Sequence, residues 1–349
     1  MRTAAVVMFF LALAIQASAV NYTITDLGSF SGMTAMIPVA ISDAGYIAGR
    51  WHQGSEDMWG FVWHNGATTD VRIGDYTGLV GINDSGQAVG TCSNPDEQGI
   101  IWQNGTVTVL PTLGGEMCNP WDINNAGQIT GDSGTADGGS HGFIYQNGSM
   151  TNTDPNDGWT SCYPVAINEH GDTAGWAVTQ YSVQHAFMYD GAFHDLGVIA
   201  PLWSEANDIN DLGWVVGRSD TESSSHAFLW RNAAMEDLGS FNEYSIANGV
   251  NNLGQVVGVC YGGSHTPNYS AFIWRDGVMS DLNGLVALNS GWVLVEATAV
   301  NNLGQIVGIG KVNNQYRGFL LTAVPEPSGI LALAIGVAGV VGLAWRRSR

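Results

Sequence analysis

Positive charge is scarce in this sequence. Eleven Lys and Arg face 31 Asp and Glu, a net charge of −20 over 349 residues. A surface that grips phosphate backbones needs the opposite sign, so nucleic-acid binding is excluded. Charged residues of either sign make up only 12% of the chain, too few for the Glu- and Lys-rich faces of a long helical bundle or coiled coil. Several chemical signatures are also missing. There is no His-Glu-x-x-His, no Gly-rich phosphate loop ending in Gly-Lys-Ser/Thr, and no Cys–His pair at a telling spacing. At 45% hydrophobic residues the chain is too apolar to stay disordered. Its length is about twice that of an average domain, so one large or two small cores are possible. What is plentiful is Gly, 47 residues, with 13 Trp: the makeup of a β protein.

The two ends read as addresses. Met1-Arg2 and the apolar run Ala4–Ile15 lead to Ala17-Ser18-Ala19, the pattern of a signal peptide over residues 1–19 cut between Ala19 and Val20. At the other end Val324-Pro325-Glu326-Pro327 precedes an uncharged stretch, Ser328–Trp345, and Arg346, Arg347 and Arg349 close the chain. As a helix, 328–345 would span roughly 27 Å, enough to cross hydrocarbon. The arginines then stay cytoplasmic and the rest of the chain lies outside. This tail, 324–349, resembles the PEP-CTERM sorting signal of Gram-negative bacteria. That resemblance implies export by way of signal peptidase, transient anchoring in the inner membrane, and recognition by an exosortase near Pro325, Glu326 and Pro327. It also implies a final place at the cell surface or in the extracellular matrix.

Between the ends, residues 20–323 repeat one unit seven times. Its core is an apolar anchor, then a turn such as Asn83-Asp84-Ser85-Gly86, then a second Gly four residues later. Anchors fall at Ile41, Ile82, Ile123, Ile167, Ile209, Val250 and Val300, and second glycines at Gly49, Gly90, Gly131, Gly175, Gly217, Gly258 and Gly308. A Phe/Trp-rich block follows, and after it a third block seen as Asp195-Leu196-Gly197, Asp237-Leu238-Gly239 and Asp281-Leu282. Asn caps its own turn and Gly accepts positive φ, so Asn-Asp-x-Gly joins strands one and two; Asn-Gly or Asp-Gly joins three and four. Four short strands in roughly 42 residues make a propeller blade. The last copy lacks its Asp-Leu-Gly strand, and Tyr22–Gly28 supplies one at the opposite end of the chain. The expectation is therefore an all-β, seven-bladed propeller closed by an N-terminal strand, which leaves no open edge. The Asn-Asp-x-Gly strand is then innermost, with a small residue before the anchor in five copies and Asp122 or Asp208 in two.

His185-Ala186-Phe187 and His226-Ala227-Phe228, with a degenerate His141-Gly142-Phe143, make residues 22–321 resemble the bacterial extracellular HAF-repeat proteins. That family has no settled activity, so the resemblance implies location and architecture.

Variable loops on one face of such a ring are where ligand specificity is built. Trp51, Trp121, Trp159, Trp203 and Trp292 fall there, as either sugar-stacking platforms or filler between blades. Asp122 and Asp208 read either as an axial carboxylate pair of the kind glycoside chemistry uses or as ordinary strand-entry aspartates. The three HAF histidines sit too far from the axis to share a metal and read as structural. Asn152, Asp154 and Asn156 outline a calcium-like loop whose Gly comes one residue late; no other cofactor is expected. Cys118 and Cys162, at one position in adjacent blades, form either a disulfide or two buried thiols. The functional expectation is a non-catalytic binding or structural module associated with exopolysaccharide; the alternative is a polysaccharide hydrolase or lyase working across the looped face.

Overall fold

The computed structural model describes residues 22–54, 57–93, 97–154, 159–179, 181–200, 202–263 and 268–324. The cleavage site Ala19/Val20, the Pro325-Glu326-Pro327 motif, the 328–345 helix, Arg346, Arg347 and Asn156 lie outside them. Among the described residues no helix is long and apolar enough to cross a membrane.

Residues 22–323 fold as seven four-stranded antiparallel sheets. Blade 1 covers 35–71, blade 2 76–109, blade 3 114–152, blade 4 159–197, blade 5 204–237 and blade 6 244–281. Blade 7 takes three strands from 292–323 and its outermost from Tyr22–Asp26. That closing strand pairs antiparallel with the third strand, Thr23 opposite Thr322 and Ile24 opposite Leu321. Each innermost strand packs on the next, and Trp292–Val300 of blade 7 on Ala35–Ile41 of blade 1. The ring is complete.

The repeated turns explain the repeated residues. In blade 2 the Asn83 side-chain oxygen accepts the N–H groups of Ser85 and Gln87, and Gly86 takes φ +72°. Asn65-Gly66, Asn104-Gly105 and Asn147-Gly148 have both residues at positive φ, the hairpin type that matches strand twist. The Asn side chains also work between blades. Nδ2 of Asn83, Asn124, Asn168, Asn210, Asn251 and Asn301 donates to the carbonyl oxygen of the matching residue in the next blade, at 2.8–3.1 Å. Blade 1 has Ser42 in that place, too short to reach blade 2.

The core lies in the seams. Phe61, Phe143, Phe187, Phe228, Phe272 and Phe319 of the third strands are fully buried, each stabilising the fold by about 1.5–3 kcal/mol. Trp63, Trp102 and Trp274 are buried beside them. Asp-Leu-Gly is a turn whose Asp accepts the Gly N–H (Asp26 with Gly28, Asp195 with Gly197, Asp237 with Gly239), while Leu27, Leu196 and Leu238 plug the seam.

One sequence expectation is corrected here, and one pair of alternatives is decided. Trp51 is not a loop residue: its strand runs on to Gln53, and the ring is fully buried between blades 7 and 1 against Phe30. Its Nε1 donates to Asp70 at 2.9 Å, so it is closed to any ligand. Cys118 and Cys162 are free thiols in separate apolar clusters. Matching positions in consecutive blades point the same way round the ring. Cys118 Sγ therefore fills the space over Gly99 of the preceding blade, away from Cys162. Burial pushes the Cys118 thiol up to about 12 and raises that of Cys162 as well.

Candidate functional site at the central channel

A channel of about 700 Å³ runs along the axis, and one device shapes its wall. Every innermost strand carries a bulge opposite the second glycine: in blade 1 Pro38 pairs with Gly49 and Ala40 with Ala48, skipping Val39. The skipped residues are Val39, Val80, Trp121, Val165, Asn207, Asn248 and Thr298, and all seven line the channel. Blades 1–4 thus present an apolar sector and blades 5–7 a polar one. The bulge brings the inner strand so close that only Gly fits opposite.

Asp122 and Asp208 line this channel, as their place before the anchors predicts. Their oxygens are occupied. Asp122 accepts the N–H of Ile123 at 2.8 Å and of Ile167 in blade 4 at 3.0 Å. Asp208 accepts those of Ile209 and of Val250 in blade 6, both at 2.8 Å. They fasten blade 3 to 4 and blade 5 to 6. Burial pushes both carboxyls up to about 7, with the charge of Glu169 adding at Asp122 and that of Asp122 adding at Asp208. Because the folded chain holds protons that the unfolded chain has already released, their contribution is greatest below the ordinary carboxylate pKa. It is lost as the pH rises towards 7, by up to about 4 kcal/mol for each group. The Tm is expected to be higher at pH 5 than at pH 8. In the double variant D122A/D208A that difference should shrink markedly, since Ala40, Ala166 and Ala299 already occupy the place in three blades. An unchanged pH slope in calorimetry would refute this account.

On the face bearing the longer loops, the mouth of the channel gathers aromatic and polar groups. Trp121 is 40% exposed, and its Nε1 donates to Asp132 at 2.8 Å. Asn119 donates to the other oxygen of Asp132 at 3.1 Å. In blade 4 Tyr163 and Trp176 stack with centroids 4.0 Å apart, and Trp176 lines the channel with Arg50, Glu205 and Glu296. Arg218 bonds Glu205 at 2.6 Å and lies 4.5 Å over the Trp203 ring. A second hollow of about 790 Å³, lined by Val183, Leu202 and Trp203, meets the channel at Glu205.

The remaining sequence candidates are scattered. Trp159 packs on Phe193, 5.1 Å away, and Trp292 lies over Gly310 and against Phe319; both are half-buried, and neither lines the channel. Each HAF histidine pairs with an aspartate of its own blade: His141 with Asp154, His185 with Asp195, His226 with Asp237. Arg317 with Asp26 repeats the pairing in blade 7. Asp154 of the calcium-like loop is therefore spent on His141 and on the Gly142 N–H, and Asn152 caps Asp154. Among the described residues no group of three His, Cys, Asp or Glu is placed to hold a metal. Gly138-Gly139-Ser140-His141-Gly142 fits the Gly-x-Ser-x-Gly spacing of esterases. Here, however, it leads into a strand, and Ser140 donates to Asp132.

Sequence reasoning missed Trp176, Arg50, Glu205 and Glu296. Trp176 and Arg50 follow the second glycine directly, where the seven copies read Arg, Thr, Asp, Trp, Arg, Val and Ile. Variation inside an otherwise constant frame was the available signal.

Residues 323–348 match the PEP-CTERM protein-sorting motif. No curated protein matches the chain. Among solved structures, the β-propeller domain of the trilobed protease from Pyrococcus furiosus, described as having an open velcro topology, aligns with a TM-score of 0.50 at 13% identity, over 72% of this chain and 84% of that one. A puromycin-hydrolysing peptidase from Mycobacterium tuberculosis aligns with a TM-score of 0.51 at 10% identity, over 88% of this chain and 55% of the peptidase. This chain thus spans about half that peptidase's length, and at such identities the likeness is one of fold. The chain is a β-propeller carrying the signal of an exosortase-sorted extracellular protein, anchored in a membrane before sorting.

Proposed function

We propose that this propeller binds extracellular polysaccharide at the loop-face mouth of its channel and does not cleave it. The exposed Trp121 beside the stacked Tyr163–Trp176 pair carries this reading: flat rings next to fixed hydrogen-bonding groups suit sugar faces and hydroxyls. The engaged oxygens of Asp122 and Asp208 support binding without hydrolysis, because each already accepts backbone N–H groups. Residues 20–323 carry 30 acidic and 7 basic residues, so the favoured ligand is a neutral glycan, or an anionic one bridged by cations. The resemblance to HAF-repeat proteins fits residence at the surface or in the matrix of a Gram-negative bacterium.

The secreted chain, incubated with its host's exopolysaccharide, is expected to be retained without producing new reducing or unsaturated ends. Trp121→Ala and Trp176→Ala should each weaken binding about tenfold, near 1.4 kcal/mol. Trp51→Phe, buried elsewhere, should leave it unchanged. Chain shortening that disappears in Asp122→Asn or Asp208→Asn would overturn the proposal in favour of an enzyme.

A further inference from the structure

The opposite face, where the Asn-Asp-x-Gly turns lie, is not uniform. Its turn tips are small or polar in blades 1–4 (Ala44, Ser85, Ala126, His170) and leucine in blades 5–7. Leu212, Leu253 and Leu303 are 57%, 66% and 66% exposed. Val278, at the neighbouring hairpin of blade 6, is 60% exposed. Third strands run towards this face, and those of blades 5 and 6 end on Arg231 and Arg275. The corresponding strands of blades 1–4 end on His64, Gln103, Gln146 and Tyr189.

Negative charge thins in the same direction. The residues beside the turn asparagines form a second ring of blade-to-blade hydrogen bonds. Its members are Asp43, Asp84, Asn125, Glu169, Asp211, Asn252 and Asn302, three of them acidic in blades 1–4 and Asp211 alone in blades 5–7. Blades 6 and 7, which hold two of the three leucines, contribute the uncharged Asn252 and Asn302. The tips of the leucine sector are therefore apolar, set among polar neighbours: Asp211 is bonded into the ring, Asp276 shares the hairpin of Val278, and Arg231 is paired with Glu236. Exposed apolar tips among polar groups of both signs are the makeup of a surface that rests at a zwitterionic headgroup layer.

The chain also leaves the propeller here. Leu321 pairs with Ile306, next to the blade 7 turn, and Ala323 with Tyr22, so the sorting motif at 323–348 starts from the leucine face. From Val324 to the end there are 26 residues. A membrane that holds this tail is presented to the face at an effective concentration on the order of millimolar, where weak contacts suffice.

We propose that, before sorting, the leucine sector of blades 5–7 docks on a zwitterionic phospholipid surface and turns the loop face outward. The inference does not rest on glycan binding. It is tested with the full-length chain in phosphatidylcholine vesicles, read on the fraction that floats with the lipid. A polarity-sensitive fluorophore is placed on Leu253→Cys or, as loop-face control, Leu202→Cys; the four native cysteines are buried. Lipids with a spin label near the headgroup are expected to quench the 253 probe by about half and leave the 202 probe bright. Adding L212S/L303S should restore emission at 253. Equal quenching at both positions, or none at either, would overturn the proposal. So would a blue-shifted 253 probe that ignores the lipid quencher and follows protein density, which would mean that a second copy covers the leucines.

Discussion

Gly90→Ala is expected to leave no folded protein. A methyl group there would sit 1.9 Å from the carbonyl oxygen of Gly78 and 2.8 Å from Leu79 Cα, and both are backbone atoms of the bulge. The same holds for Gly131, Gly175 and Gly217, whose added Cβ would meet a bulge carbonyl at 2.0 Å. Relief requires the bulge to unwind, which moves the anchor, the turn and the joint to the next blade. The cost exceeds about 4 kcal/mol, the range of severe single substitutions. Gly105→Ala is the control. It also removes a glycine, at φ +85°, but nothing lies within 4 Å of the added carbon, so only left-handed strain remains, about 1–2 kcal/mol. Secreted yield and thermal melting of the two variants should differ sharply. Similar melting temperatures would show that the bulge yields.

Removing residues 22–28 is expected to open the wheel. The deletion strips the outer strand from blade 7, exposes the edge of Gln315–Ala323, and withdraws the buried Leu27 and Tyr22. Lost burial and hydrogen bonds together cost roughly 5 kcal/mol or more, and the bare edge invites association between chains. The truncated chain should melt early and aggregate, and a synthetic peptide of residues 22–28 added in trans should recover much of the native Tm. A truncated chain that melts as the complete one does would mean that the seams between blades close the ring unaided.

The repeat, the blade count and the swap of the closing strand are legible in the sequence because local backbone chemistry enforces them. A turn that needs Asn and a positive-φ Gly leaves the same letters seven times, and a missing fourth strand leaves a gap in phase. Asp122 and Asp208 are legible as axial for the same reason. The channel wall is harder to read. Strict alternation along the inner strand hides the bulge, so Trp121 reads as a loop residue when it is the skipped position of blade 3. Trp51 also reads as a loop residue, because strand ends carry no mark and its strand runs two residues further. For the cysteine pair the sequence leaves a bridge and two buried thiols both open, because it shows that two positions correspond but not that they point in the same direction round the ring.

The skipped position has a consequence of its own. It contributes nothing to the ladder within its blade. Asn207, Asn248 and Thr298 instead donate to backbone carbonyls of the next blade, while the side chains of blades 1–4 are free of that duty and can be exchanged with the frame fixed. Val39, Val80, Trp121 and Val165 act as sockets on a common chassis. Refitting them would retune what the bore admits, and a single scaffold can in this way be adapted to many cargoes without being rebuilt.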